Sequence, residues 1–556
     1  MNSVMIMVRI TMMSLIGAIV AYAPVQSQTL GDRIAVTAQA LAAPVTPCSD
    51  LFVQHELAHV TTVDGKVVRL FDSNGAGLAI NDLDNDGDLD LVLANLAGPN
   101  ALFWNEGALH FRKEVLMHGD SRAAAIVDVD GDGWQDLVFT RRTTAPTYWH
   151  NELGTHNRTA GPAFRQTFLP GVAKQAYALA WGDLDQDGDL DLVTGSYDLA
   201  LQMTLGDKFR FGEGAGLHYY EQQAGRFTRH FLDRHAQTLA LFLFDVNGDG
   251  RQDIIAGNDF DAPDQAWLQQ ADGWQPAAPF AQTTQNTMSF DLADINNDGV
   301  SELYATDMLP YTHDAATMAA WQPVMDRMPH TMKAGDPQVM ANVLQVRQPD
   351  GRYQNVATVA QLDATGWSWS AKFGDLDRDG FLDLYVVNGM AALDLFEHLP
   401  NHELVEENQA FRNNAGMLFT AAPEWRLNST AGGRGMSMAD LDSDGDLDIV
   451  VNNLLQPATL FENKLCGGGT LLVDLFWPSS RNTRAIGAQL VLQTDIGNFY
   501  RDVRAGSGYL SGDPARVHFG VPNDATIQHL EIHWPDGRMD AIAAPTVGNL
   551  IQITRQ

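Results

Sequence analysis

Seven times along this 556-residue chain the pattern D-x-[DN]-x-D-G-x-x-[DE] recurs, beginning at Asp82, Asp128, Asp183, Asp245, Asp294, Asp375 and Asp440. The starts lie 46 to 81 residues apart, too far for a solenoid turn and suited to the blades of a β-propeller. Short apolar or β-branched runs flank the copies, as in GLAINDLDNDGDLDLVLAN and MSMADLDSDGDLDIVVNN, so each copy is expected to join two strands of a hairpin. A second pair of strand-like pieces follows most copies, for example ALFWNEG with ALHFRKEVL. Four strands per unit and seven units predict an all-β, seven-bladed ring.

The pattern also carries chemistry. Side-chain oxygens at positions 1, 3, 5 and 9, with the carbonyl at position 7, can enclose one hard cation, and Gly at position 6 permits the sharp turn. Such an oxygen-rich, highly charged set suits Ca²⁺, whereas Mg²⁺ demands a stricter octahedron and keeps more of its waters. An EF-hand would need a ligand at position 12 and flanking helices; here position 9 ends the loop. The expected ligands of up to seven calcium ions are Asp82, Asp84, Asp86 and Asp90; Asp128, Asp130, Asp132 and Asp136; Asp183, Asp185, Asp187 and Asp191; Asp245, Asn247, Asp249 and Asp253; Asp294, Asn296, Asp298 and Glu302; Asp375, Asp377, Asp379 and Asp383; and Asp440, Asp442, Asp444 and Asp448. The fifth loop is the weakest, with Asn296 and Glu302 where others mostly carry Asp. The competing reading is a set of acidic turns whose Asx side chains cap their own backbone. It would leave 29 of the chain's 69 acidic residues crowded into seven loops with nothing to offset their repulsion.

Hydrophobic residues make up 45% of the chain and charged ones 19%, so it is expected to fold rather than behave as an acidic polymer. A net charge of -34 disfavours nucleic acid as a partner and favours cations. The start, MNSVMIMVRITMMSLIGAIVAYAPVQSQ, has one Arg, an apolar run and then small residues, the layout of a secretory signal peptide over residues 1–27 with cleavage near Ser27. No later run approaches twenty apolar residues, so no integral membrane span is expected in the mature chain, which would be periplasmic or secreted.

The seventh unit stops at Cys466, one outer strand short of the others, while DLFVQHELAHV at residues 50–60 resembles an outer strand ahead of the first unit. Pairing the two would close the ring and remove both free sheet edges. The two cysteines of the chain, Cys48 and Cys466, flank that seam and are expected to form a disulfide in an exported protein. Within the same stretch, HELAH at residues 55–59 matches the zinc motif H-E-x-x-H. On a strand, however, His55 and His59 stand about 13 Å apart, too far to share one zinc.

Two insertions interrupt the pattern. The segment at residues 305–340 is expected to form an amphipathic helix whose Met308, Met318, Met325 and Met328 pack on the ring, and the segment at residues 391–412 is also expected to be helical. From Gly467 the Asp loops give way to alternating segments such as TLLVDLFW, AQLVLQT and HLEIHW, which read as a small antiparallel sandwich over residues 467–556, with the ring over residues 48–466. In this module Arg484, Arg504, Ser507, Tyr509 and Ser511 form a candidate polar ligand cluster, with Gly506, Gly508 and Gly512 as turn formers.

The loops and their flanks, over about residues 50–465, resemble FG-GAP/VCBS repeats, the calcium-bearing blades also found in integrin α-chain heads. NTRAIGAQL, RAGSGYLSGD, VHFG and WPDGR resemble the ASPIC/UnbV domain, and the pairing of the two is the layout of the cartilage acidic protein family and its bacterial relatives. The resemblance implies a seven-bladed propeller with calcium in the first hairpin of its blades. In integrins only some blades carry the loop, whereas here all seven do.

No G-x-S-x-G elbow, P-loop or Rossmann fingerprint is present. The expected function is a secreted or periplasmic, monomeric calcium-binding scaffold that recognises a protein or glycan ligand. The alternative is a secreted polysaccharide lyase or hydrolase with acid and base at the ring axis, and the ionisable groups outside the loops, His235, Asp259, Asp261, Asp264, His313 and His398, are scattered along the chain.

Overall fold

Each Asp loop connects two antiparallel strands, with position 9 opening the second strand, as in Leu78–Asn81 paired with Asp90–Leu93. The computed structural model describes residues 28–556 except 30–32, 45–46, 155–162, 207–208, 210–214, 235, 261 and 329–334. The expected signal peptide at residues 1–27 lies outside the described residues, as do His235 and Asp261. Seven such hairpins each extend into a sheet of at least four strands. Their inner strands are Leu78–Asn81, Ser121–Val127, Ala178–Gly182, Thr238–Phe244, Ser289–Ala293, Gly366–Gly374 and Gly433–Ala439. Consecutive inner strands pack side by side, and the seventh packs against the first, so the sheets form a closed seven-bladed β-propeller.

The seam closes as the sequence indicates. Phe52–Val60 pairs antiparallel with Pro457–Asn463 and supplies the seventh blade's outer strand. HELAH is therefore strand: His55 faces Glu462 at 2.8 Å, while His59 is buried beside Thr61. Cys48 and Cys466 are bonded, their Cα atoms 5.1 Å apart.

The chain's end forms two packed sheets, one containing Gly469–Phe476, Val517–Val521 and Asn549–Arg555 and the other Gln489–Thr494, Asn498–Asp502, Ile527–His533 and Met539–Ala543. Ile34–Ala40, from the other end of the chain, pairs along all of Asn549–Arg555, so this sandwich draws a strand that a division at residue 467 leaves out. Two tethers therefore join sandwich to ring, residues 41–51 and 464–468, and the Cys48–Cys466 bond ties them together.

The first insertion packs on the ring as expected through Met308, Met325 and Met328, but the fully buried residues of its helix are others. The helix Ala315–Met325 seats Trp321 and Val324 in the core, Met325 and Met328 are only partly buried, and Met308 lies in a short strand against Trp367. In the second insertion Leu393–Phe396 is α-helical and Pro400–His402 a 3-10 turn, while Gln409–Asn413 is the third strand of the sixth blade. Among the described residues no helix is long and apolar enough to cross a membrane.

The tethers make the disulfide a test of this arrangement. Replacing both cysteines (C48S/C466S) frees a loop of 418 residues. It should cost up to roughly 5 kcal/mol in the chain-entropy account. Urea denaturation at saturating calcium measures this, and an unchanged midpoint would show that the seam is held without the bond.

Candidate metal centres and the face above them

The seven loops share one internal hydrogen-bond scheme. The carboxylate at position 9 accepts the N–H of position 2 in every loop, at 3.0 to 3.1 Å, from Leu83 onto Asp90 through to Leu441 onto Asp448. The carboxylate at position 5 accepts the N–H of position 7 in every loop, at 2.9 to 3.3 Å. Position 4 is left-handed throughout: φ runs from 57° to 63° at Asn85, Gln186, Asn297, Arg378 and Ser443, with Gly131 and Gly248 in the other two loops. Non-glycine residues in that region cost roughly 1–2 kcal/mol each, and motif spacing alone does not expose the strain.

Residues outside the motif complete the scheme, and the sequence reading missed them. In six blades the position-9 carboxylate also accepts a main-chain N–H from the third strand, at 2.7 to 2.9 Å, always from Asn or Gln: Asn105, Asn151, Gln222, Gln269, Asn413 and Asn463. Five of these amides also donate to the position-2 carbonyl of the preceding blade. Asn151 reaches Leu83 at 2.8 Å, and Asn105 of the first blade reaches Leu441 of the seventh at 2.8 Å, spanning the seam. The signal was an amide at a fixed place in six of the seven third strands, as in FWNEG and YWHNE.

These contacts leave a particular set of oxygens unused. Among the described residues nine loop carboxylate oxygens are buried without a hydrogen-bond partner, six at positions 1 and 3 (Oδ1 of Asp82, Asp84, Asp130, Asp183, Asp377 and Asp440), one at position 5 (Asp444 Oδ2) and two at position 7 (Oδ1 of Asp189 and Asp446). Ligand atoms of Asp82, Asp84 and Asp86 lie within 4.8 Å of one another, as do those of Asp183, Asp185 and Asp187, of Asp128, Asp130 and Asp136, and of Asp375, Asp377 and Asp383. Buried anionic oxygens cost free energy unless something pairs with them. Converging hard oxygens with free lone pairs therefore fit a divalent cation of the Ca²⁺ type.

The loops are not equivalent. Arg412 Nε is 2.9 Å from Asp377, and Lys464 Nζ is 3.8 and 3.6 Å from Asp442 and Asp444, so the sixth and seventh loops hold internal cations. No Lys or Arg ion pair reaches the ligand positions of the first and third loops among the described residues. His150 adds a nitrogen to the second loop, its Nδ1 3.4 Å from Asp130 and 3.3 Å from Asp136.

Burial pushes the loop carboxyls up, to about 8 at Asp90, Asp191 and Asp440 and about 7 at Asp128, Asp183 and Asp375. Their ordinary value is near 4. Without a cation the folded chain thus binds more protons than the unfolded chain between about pH 4 and 8, and stability falls as pH rises through that window. Calcium reverses the trend, because protons then compete with the ion. The melting temperature in chelator should fall from pH 5 to pH 8, and the increment from millimolar calcium should grow over the same range. A calcium increment independent of pH would contradict the loop assignment.

The sandwich sits on the loop face. Thr483 donates to Asp128 Oδ2 at 2.5 Å, Arg484 to Asn85 at 2.6 Å and Ser480 to the Gly188 carbonyl at 2.7 Å. From it a hairpin, Gly506–Ser507 with Ser511–Gly512, descends the ring axis. Ser511–Gly512 joins the inner edge of the first blade through Ala79, Gly508 N–H donates to Phe290 O in the fifth at 2.7 Å, and Tyr509 N–H to Ser370 in the sixth at 3.1 Å. The Tyr509 hydroxyl meets Tyr177 and its ring packs on Trp369, with centroids 4.9 Å apart. The expected polar cluster is accordingly corrected. Ser507, Tyr509 and Ser511 are buried in hairpin-to-ring contacts, Arg504 pairs with Asp291 at 3.0 Å, and Arg484 lies over Phe476. Small residues on the inner strands make room: a Cβ on Gly77 would stand 2.1 Å from the Leu510 carbonyl. Of the scattered ionisable groups, Asp259 accepts from Tyr197 and Asp264 from Thr287, while His398 faces the Ala320 carbonyl.

Comparison with known proteins agrees with this architecture. The FG-GAP-like repeat model matches residues 82–139, 128–194, 245–305 and 399–451, and the ASPIC and UnbV model matches residues 478–556. The sixth loop, at Asp375, lies outside those ranges yet has the same geometry. Cartilage acidic protein 1 of Mus musculus is 23% identical over 570 residues, covering 87% of this chain and 75% of that one. Integrin alpha-3 of Mus musculus is 29% identical over 150 residues, 22% of this chain and 14% of its own. A solved rhamnogalacturonan lyase of Bacillus licheniformis, 12% identical, covers 78% of this chain and 80% of its own with a TM-score of 0.36. The chain carries FG-GAP-like repeats followed by an ASPIC and UnbV domain, and with that architecture it is homologous to cartilage acidic protein 1.

Proposed function

We propose that this protein is an exported, calcium-binding propeller scaffold that recognises a protein or glycan ligand. The observation that carries the reading is that in five of the seven loops a position-1 or position-3 carboxylate oxygen is buried without a protein hydrogen-bond partner. The side chains at positions 1, 3, 5 and 9 of the seven loops, with the position-7 carbonyls, would hold the ions. Bound Ca²⁺ would supply the positive charge that offsets the loop carboxylates. Export rests on the signal-like residues 1–27 and is consistent with the Cys48–Cys466 bond.

The recognition surface is the part of the ring that the sandwich leaves open. The loop face lies under Thr483, Arg484 and Ser480, and the axis holds Tyr509 and Leu510, both buried. An acid–base pair at the axis, as the lyase or hydrolase alternative requires, would have to share that space. The opposite face, with the helix Ala315–Met325, and the blade rims remain.

A glycan and peptide array probed with calcium-loaded protein tests this reading. Binding to one chemical class that chelator abolishes and calcium restores is expected. Turnover of polysaccharide by the loaded protein, with no retained ligand, would replace the scaffold reading with the enzymatic one.

A further inference from the structure

We propose that cation loading of the Asp loops and docking of the C-terminal domain are a single coupled event, so that the domain is a calcium-dependent cap whose hairpin is the stopper of the ring axis. The inference rests on the metal reading above and adds a consequence for the chain's own architecture.

The domain binds the loops mainly through their backbone. Arg516 Nη2 donates to Gly87 O at 3.1 Å, Arg481 to Asp130 O at 2.8 Å, Ser480 Oγ and Asn482 N–H to Gly188 O, both at 2.7 Å, and His518 Nε2 lies 3.1 Å from Gly445 O. Three of these carbonyls belong to position 6, immediately before the position-7 carbonyl of the expected ligand set. The position-6 glycines hold φ between 84° and 100° in all seven loops. One peptide geometry therefore sets both the metal-facing carbonyl and the carbonyl that the domain reads. A loop that relaxes from its left-handed turns misplaces both together.

The domain's arginines face the loops electrostatically, Arg484 towards Asp82 and Asp128 and Arg516 towards Asp82 and Asp440, but among the described residues neither forms an ion pair with a loop ligand. Arg516 is held bidentate by Asp474 at 3.0 and 2.9 Å, and Arg484 stacks on Phe476 while donating to the neutral Asn85 side chain. What the domain grips directly is loop backbone, so a cation that fixes the loop conformation favours docking, against the repulsion it adds for Arg484 and Arg516. Linkage then requires that docking tighten cation binding by the same factor.

The hairpin gives the cap its reporter. Gly508 N–H bonds Phe290 O, Tyr509 N–H bonds Ser370 Oγ, and Met436 N–H bonds Ser511 Oγ at 3.1 Å, each contact existing only while the domain is seated.

Hydrogen exchange on the full chain, with calcium and after chelation, tests the proposal. The amides of Gly508, Tyr509 and Met436 should exchange at least tenfold faster without calcium, together with the position-2 loop amides such as Leu83 and Leu441. Faster loop exchange with an unchanged hairpin would overturn the coupling and leave the metal reading standing. No change at either place would overturn both. Strand amides within Leu91–Leu93 serve as the control for global unfolding. If chelation unfolds the ring, the affinity arm decides. Ser480→Ala with Thr470→Val removes two hydroxyl contacts to position-6 carbonyls, Gly188 and Gly445, without altering a loop ligand or the charge, and should weaken calcium binding by calorimetry several-fold. Unchanged calcium affinity in that folded variant would sink the proposal.

Discussion

Each blade begins with a carboxylate buried at the base of a turn, and the rest of the molecule is arranged around that choice. The position-9 side chain receives N–H groups from its own loop and, in six blades, from the third strand, so one anion knits three segments of a sheet together. In five loops an oxygen at position 1 or 3 is then left buried without a protein donor. Hydrogen bonding stabilises the first carboxylate, but the remaining charge density needs a counter-ion, because desolvated anions in contact otherwise take up protons. The elevated affinity of Asp90, Asp191 and Asp440 for protons is the same frustration expressed in the absence of a cation.

A ring of hairpins has no intrinsic reason to close, and this one is held shut at several independent places. The N-terminal strand Phe52–Val60 completes the seventh sheet, the Asn105 amide spans from the first blade to the seventh, and the disulfide ties the two tethers at the seam. The hairpin at the axis contacts inner strands from opposite sides of the ring, which radial packing between neighbouring blades does not do. Because Ile34–Ala40 belongs to the sandwich and Phe52–Val60 to the ring, the domain that caps the loops is built from both chain ends. Opening the ring and lifting the cap therefore draw on the same contacts.

Much of this was legible before any coordinates, for a physical reason. Metal-type loops need fixed residue spacing and strands need alternation, so the seven hairpins, the four-stranded units, the seam and the Cys48–Cys466 pair all leave local signatures. What was missed depends on contacts between distant segments. The third-strand amides act across blade boundaries, and one Asn per strand carries no periodic signal. RAGSGYLSGD reads as a polar loop because its glycines and hydroxyls suit a turn; that it descends the axis follows from the small residues of GAG at 75–77 and GGRG at 432–435, which sequence alone does not bring together. The Met-rich insertion was read in part: Met308, Met325 and Met328 pack on the ring, but Met308 does so from a strand, and Trp321 and Val324 supply the helix's fully buried residues.

Occupation of the loops by divalent cations is read out by native mass spectrometry of the purified full chain. The account predicts calcium adducts rising stepwise to as many as seven per chain, with the first and third loops, which lack internal cations, filling ahead of the sixth and seventh. A chain that stays folded and carries no calcium at millimolar concentration would contradict it.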